Sequence, residues 1–121
     1  MAKILIVDDE ATFRKLAQSR LEAGGHEVIT ANNGFEGLEK AENEKPDLII
    51  LDVLMPMMDG YTMLREVRKN EEIKDIPIIM SSGKVIIKIA KNSSKFTADA
   101  YLTKPFDPSV FLAKIKELLK K

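Results

Sequence analysis

The chain has 121 residues, with 19 basic and 19 acidic side chains, a formal net charge of zero and no cysteine. This length fits one compact domain, and the lack of cysteine excludes a disulfide framework or a thiolate metal site. A balanced charge indicates neither a nucleic acid nor a membrane surface as partner, and no apolar run approaches the ~18 residues of a membrane span. We therefore expect a single domain over residues 1–121, with no output domain, in the cytoplasm, without direct nucleic-acid binding or membrane insertion.

Strand and helix patterns alternate along the whole chain. Short aliphatic or β-branched runs predict strands at residues 4–7, 27–31, 48–51, 76–80 and 101–103. Apolar residues at helical spacing follow each run, including Phe13 and Leu16 in the first helix, Phe35 in the second and Phe111 in the last. A further helix is predicted over about 84–95. Five strand–helix units with short connections predict an α/β fold, a parallel five-stranded sheet with helices on both faces.

Polar residues follow several of the predicted strands, in each case at the C-terminal end of the strand. Asp8 and Asp9 follow the first strand, Asp52 the third, and Lys104 the fifth, while a Ser81-Ser82-Gly83 turn is predicted after the fourth. Right-handed crossovers bring all five strand ends to one edge of the sheet. Three carboxylates there would repel one another, and oxygen ligands without His or Cys favour Mg²⁺ or Mn²⁺. A metal, a lysine and a hydroxyl beside a carboxylate suit phosphoryl transfer, with aspartate as the nucleophile.

Each of these residues also has a plainer interpretation. Asp52 could be a turn aspartate that caps the next element, and Asp8 or Asp9 could cap the first helix. Lys104 could be a solvated loop lysine. Ser82 could be a helix N-cap, a role that suits Ser81 equally well.

Four motifs in order carry a family resemblance. They are Asp8-Asp9, the segment from Asp52 through Met55-Pro56 to Asp59-Gly60, Ser82-Gly83, and Lys104-Pro105. With this spacing the chain resembles, over essentially its whole length, a response-regulator receiver domain of two-component signalling, of the chemotaxis Che-Y-like type. The resemblance implies a doubly wound, flavodoxin-like (βα)5 fold with strand order 2-1-3-4-5.

The resemblance also implies a role for the site residues. Asp52 would accept a phosphoryl group from a sensor histidine kinase or a phosphotransfer protein. Mg²⁺ (or Mn²⁺) would be held by Asp9, by Asp8 through water, by Asp52 and by the backbone carbonyl of Leu54.

Three further roles follow from the same resemblance. Lys104 would pair with the phosphoryl oxygens, and the Lys104-Pro105 peptide would be cis. The Ser82 hydroxyl would move to the phosphoryl group, and Tyr101 would turn inward as the switch aromatic. A phosphoryl group adds nearly two negative charges, which is enough to bias a two-state loop.

The segment over 84–98 departs from the family pattern, because its charged residues are all basic and no acidic residue occurs before Asp99. One narrow helical stripe holds Lys84, Lys88, Lys91 and Lys95. A solvated lysine face is the plainer interpretation. The alternative is a docking surface for an acidic protein partner, with Ile87 as an apolar contact.

The sequence therefore predicts a stand-alone response regulator. It would signal to an unidentified downstream protein through a phosphorylation-dependent change of surface, and whether phosphorylation makes it dimerise stays open. It would act on no external substrate and so would not be an enzyme. One rival is a receiver-like module that binds or dimerises without phosphorylation. Another is an aspartate-nucleophile phosphatase, which would typically place a second aspartate where this chain has Leu54.

Overall fold

The computed structural model describes residues 2–53, 55, 57–82, 98–104 and 107–120, and of Ser82 only the backbone. Five parallel strands form one sheet in the order β2-β1-β3-β4-β5. The strands are β1 (Lys3–Val7), β2 (Glu27–Ala31), β3 (Leu48–Asp52), β4 (Ile78–Ser82) and β5 (Ala100–Thr103). The predicted fold class and strand order are confirmed.

Helices cover both faces of the sheet. The described helices are α1 (Ala11–Ala23), α2 (Gly34–Glu44), α3 (Gly60–Lys69) and α4 (Pro108–Leu119). One core cluster joins the sheet to α1 and α4, and the other joins it to α2 and α3. Asp107 caps α4, because its carboxylate accepts hydrogen bonds from the backbone N–H and the hydroxyl of Ser109.

The sheet-facing stripe of α2 consists of small residues, and the prediction that Phe35 faces the core is wrong. Phe35 is 55% exposed, whereas Gly34, Gly37 and Ala41 are buried. A Cβ atom on Gly37 would lie 2.8 Å from the side chain of Val7, so α2 packs directly on β1. A large side chain has no room in such a close contact, and Phe35 lies outside it.

Leu16 is a second wrong prediction, because it is 60% exposed rather than part of the core. The residues of α1 that reach the sheet are Ala17 and Leu21, which are four positions apart. Leu16 instead lines a cavity of about 440 Å³ between α1 and α4, together with Phe13 and Phe111. Helix periodicity alone does not separate a residue that faces the sheet from one that faces a neighbouring helix.

The fourth strand is shifted relative to the prediction. It begins at Ile78 rather than Ile76, and it includes Ser81 and Ser82, which were predicted to form a turn. The strand is prolonged because the backbone N–H of Val53 donates to the carbonyl of Ser81 and because β5 continues to pair alongside.

The predicted helix over 84–95 lies outside the described residues, as does the proposed partner surface of Lys84, Ile87, Lys88, Lys91 and Lys95. Among the helices that the structure describes, none is both long and apolar enough to cross a membrane.

Candidate phosphoryl-transfer site

Three strand ends bring the predicted site residues together. Asp8 directly follows β1, Asp52 is the last residue of β3, and Lys104 directly follows β5. Asp8 and Asp52 are buried, with 1% and 7% of their surfaces exposed, while Asp9 is exposed. The site is therefore a shallow acidic pocket with one carboxylate at its mouth and two at its floor.

Short distances join the charged groups of this pocket. Carboxylate oxygens of Asp8, Asp9 and Asp52 lie within 4.8 Å of one another. The Lys104 Nζ atom lies 2.6 Å from Asp8 Oδ2 and 3.7 Å from Asp52 Oδ1. One cation thus partly neutralises two buried acids, which is why the cluster is tolerated at the edge of the core.

Neighbouring side chains on α1 hold Lys104 and Asp8 in place. The Lys104 Nζ atom lies 4.2 Å from the centre of the Phe13 ring, within the range of a cation–π contact. Arg14 donates to the backbone carbonyl of Asp8 at 2.6 Å. Asp8 also accepts a hydrogen bond from the backbone N–H of Glu10, the N-cap residue of α1, so it supports the start of the helix as well as the acidic pocket.

The carboxyl group of Asp52 has a raised pKa. Burial raises its pKa from the ordinary value of 3.8 to about 7, and the negative charge of Asp8 adds to the rise. The negative charge of Asp9 also raises the pKa. The positive charge of Lys104 and a hydrogen bond from the backbone of Val53 lower it. The charged form of Asp52 is therefore disfavoured in the folded protein unless cations lie beside it.

Replacing Lys104 with methionine is expected to raise the pKa of Asp52 further, above about 7. The substitution removes a positive charge that lowers the pKa of this carboxyl group. The pKa can be followed in metal-free protein by the carboxyl carbon chemical shift as a function of pH. The matched control is Lys114→Met on α4, which should leave the titration of Asp52 unchanged. An unchanged pKa in Lys104→Met would show that its charge is screened from Asp52.

The loop after β3 is fixed by close backbone contacts. Asp59 caps α3 by accepting a hydrogen bond from the backbone N–H of Thr62, and the N–H of Gly60 donates to the carbonyl of Val53. A Cβ atom on Gly60 would lie 2.2 Å from the backbone carbonyl oxygen of Asp52. Only glycine allows α3 to begin this close to the strand that carries Asp52.

The oxygen donors of the pocket fit a hard divalent cation. Mg²⁺ binds oxygens at about 2.1 Å, so two ligands on opposite sides of the ion lie about 4.2 Å apart. The carboxylate oxygens of Asp8, Asp9 and Asp52 all lie within 4.8 Å of one another, a separation compatible with ligands of one ion. The donor set therefore suits Mg²⁺ or Mn²⁺, as the sequence predicts.

The structure describes only some of the other predicted site residues. Tyr101 lies in β5 and is half-buried, and its hydroxyl accepts a hydrogen bond from the backbone N–H of Ala98. Ser82 ends β4, and its side chain lies outside the described part of the chain. The Leu54 carbonyl and Pro105, with its predicted cis peptide, also lie outside it.

Sequence reasoning missed several residues around the site. It did not single out Phe13 or Arg14 as supports, although both fall one or two turns after Asp8 on the first helix. It treated Gly60 as a turn residue rather than as a packing requirement. It assigned Ser81 to a turn, whereas this side chain is fully buried beside Asp52 in the sheet.

Comparisons with known proteins agree with this geometry. The chain is 44% identical over 121 residues to the probable transcriptional regulator ycf27 of Pyropia yezoensis, covering 98% of this chain and 48% of that protein. Its fold matches the Vibrio cholerae chemotaxis protein CheY4 with a TM-score of 0.89, 35% identity and 98% coverage of both chains.

A second similar structure contains a metal. It is the receiver domain of the sensor histidine kinase PA1611 from Pseudomonas aeruginosa PAO1, which holds a magnesium ion in its active-site cleft. Its TM-score is 0.90 at 25% identity, with 99% of this chain and 98% of that chain covered. The chain spans about half the length of the curated relatives it matches. The model of the response regulator receiver domain matches residues 4–116, and the chain therefore belongs to the receiver-domain family of two-component signalling.

Proposed function

We propose that this chain accepts a phosphoryl group on Asp52 from a histidine kinase or a phosphotransfer protein, with Mg²⁺ or Mn²⁺, and signals through a changed surface. Receiver domains are signalling domains rather than enzymes with an external substrate, and we propose the same for this chain. The observation that carries the proposal is a buried carboxylate, Asp52, that shares one pocket with two further carboxylates and a lysine.

The phosphoryl transfer follows from the arrangement of these groups. A carboxylate oxygen of Asp52 forms a bond to phosphorus while the bond from phosphorus to the donor's imidazole nitrogen breaks. The electron pair of that bond returns to the imidazole. Lys104, which already reaches Asp8 and Asp52, places its positive charge where the phosphoryl oxygens would arrive.

The metal would be held by Asp8, Asp9 and Asp52, and we propose the carbonyl of Leu54 as a further ligand. When bound, the ion supplies positive charge that offsets both the carboxylates and the phosphoryl oxygens. The magnesium ion in the PA1611 receiver domain supports this assignment by similarity. Asp9 is the exposed member of the cluster and so lies on the path by which an ion would enter.

The response to phosphorylation is proposed to use Ser82 and Tyr101. The backbone of Ser82 ends β4, next to the strand that carries Asp52. Tyr101 pairs with Met80 on the neighbouring strand and packs against the core cluster of α2 and α3. The lysine stripe over 84–95 remains a proposed docking surface for the downstream partner.

Phosphorylation is tested by the intact mass of the protein after incubation with a small phosphodonor and Mg²⁺. The wild-type chain should gain the mass of one phosphoryl group, and omission of Mg²⁺ or addition of a chelator should prevent the gain. Asp52→Asn should show no gain, because an amide is not a nucleophile for this step.

The matched control is Asp47→Asn, since Asp47 lies on the loop before β3, at the other end of that strand. It should be phosphorylated like the wild type. A wild-type chain that binds Mg²⁺ but is modified by neither a small donor nor a histidine kinase would favour the phosphorylation-independent binding module instead. A phosphoryl adduct that persists in Asp52→Asn would show that another residue is the acceptor.

A further inference from the structure

Ser81 carries a buried hydroxyl group that the proposed function does not use. Its surface is 0% exposed, although most serines are found at protein surfaces. Among the buried side-chain nitrogen and oxygen atoms that the structure describes, Ser81 Oγ is the one without a hydrogen-bond partner. A buried hydroxyl without a partner destabilises the folded protein, so its position beside the candidate site calls for an explanation.

Ser81 is the neighbour of Asp52 across the sheet. The two residues are paired in the register of β3 and β4. Because side chains alternate along a strand, Asp52 and Ser81 both extend toward the face covered by α1 and α4, as do Ile50 and Ile79 one layer below. Adjacent strands lie about 4.8 Å apart, so the side chains of two paired residues are close enough for a serine hydroxyl to hydrogen-bond a carboxylate.

Of the two residues that pair with Ser81 on the flanking strands, only Asp52 has a polar side chain. On its other side Ser81 pairs with Leu102 of β5, which is apolar. The backbone carbonyl of Ser81 is already engaged by the N–H of Val53. Asp52 is therefore the acceptor that the register brings closest to Ser81 Oγ.

We infer that Ser81 donates a hydrogen bond to the Asp52 carboxyl group when this group carries or releases a phosphoryl group, and thereby speeds the loss of that group. This inference rests on the proposed function. The contact would be made to the Asp52 oxygen that does not carry phosphorus, since the phosphoryl group itself extends toward the open side of the pocket where Asp9 and Lys104 lie.

The chemistry of hydrolysis explains why such a donor accelerates the step. Water forms a bond to phosphorus, the bond from phosphorus to the Asp52 oxygen breaks, and its electron pair remains on Asp52 as a carboxylate. The water releases a proton to solvent, and inorganic phosphate leaves. Negative charge grows on the Asp52 carboxyl group as the bond breaks, so a hydrogen bond to it is stronger in the transition state than in the acyl phosphate.

The experiment measures the decay of the phosphorylated protein after removal of the donor, in the presence of Mg²⁺, for wild type, Ser81→Ala and Ser81→Thr. Ser81→Ala is expected to lose its phosphoryl group about 3- to 10-fold more slowly, the effect of one hydrogen bond that strengthens in the transition state. Ser81→Thr keeps the hydroxyl and should decay at a rate close to that of the wild type. The control is Ile79→Val, which trims the same face of the same strand without removing a polar group.

A spectroscopic measurement separates a hydrogen bond from a packing effect. The carbonyl stretch of the Asp52 acyl phosphate, isolated by ¹³C-labelled aspartate, should move to higher frequency in Ser81→Ala and not in Ile79→Val. Equal decay rates for wild type and Ser81→Ala, or an unshifted stretch, would overturn the role of Ser81 alone. A wild-type chain that forms no phosphoryl adduct would overturn the proposed function and this inference together.

Discussion

Replacing Gly60 with alanine is expected to lower the free energy of unfolding by about 2–4 kcal/mol. The new Cβ atom would lie 2.2 Å from the carbonyl oxygen of Asp52 and 2.9 Å from Cα of Val53. Both contacts are with backbone, which cannot move aside as the end of a flexible side chain can. The first turn of α3 must therefore separate from β3, and the hydrogen bond from Gly60 N to the carbonyl of Val53 must lengthen or break.

Urea denaturation of the metal-free protein measures this loss as a lower transition midpoint. The matched control is Gly24→Ala at the C-cap of α1, where φ is −84° and the nearest atom to a new Cβ is 3.4 Å away. That control should change stability by no more than about 0.5 kcal/mol. Gly60→Ala is also expected to slow phosphorylation, because the strain falls on Asp52, the proposed acceptor. Equal midpoints for Gly60→Ala and wild type would show that α3 can shift without cost.

Replacing Asp52 with asparagine is expected to stabilise the metal-free protein by about 2–4 kcal/mol above neutral pH. The folded state raises the pKa of Asp52 from 3.8 to about 7, chiefly through burial and secondarily through Asp8. Folding at high pH therefore forces a charged carboxylate into a place that favours the neutral acid. An amide of nearly the same shape avoids that cost.

The stability difference between Asp52→Asn and wild type should depend on pH. Because the pKa is raised on folding, the folded protein holds a proton on Asp52 between about pH 4 and pH 7 that the unfolded chain has lost. The penalty carried by wild type is thus absent below about pH 4, grows through this window and is complete above it. The stability difference between Asp52→Asn and wild type, measured by urea denaturation with a chelator present, should follow the same curve.

Asp47→Asn is again the control, since Asp47 is exposed. Its difference from wild type should not grow between pH 4 and pH 7 as that of Asp52→Asn does. A pH-independent difference for Asp52→Asn would mean that the carboxyl group of Asp52 titrates near its ordinary value in the folded protein.

The sequence by itself determined the fold class, the strand order through the family resemblance, and the identity of the acidic and basic residues at the sheet edge. It could do so because buried parallel strands are continuous aliphatic runs, and because the C-terminal ends of such strands always meet at one edge. Asp8, Asp52 and Lys104 could therefore be grouped before any distance was known, although they are far apart along the chain.

Only the tertiary structure decided which apolar residues are core and which polar atoms lack partners. Helical periodicity grouped Leu16 and Phe35 with the apolar residues of their helices, but both side chains are exposed. The distance between a helix and the sheet decides whether a large side chain fits between them. In α2 this space is filled by small residues such as Gly37. Pairing with β5 and the hydrogen bond from Val53 keep Ser81 in the strand, against its turn-like sequence. The raised pKa of Asp52 depends on burial and on charges contributed by the ends of two other strands, β1 and β5, which are properties of the packed chain rather than of any local pattern.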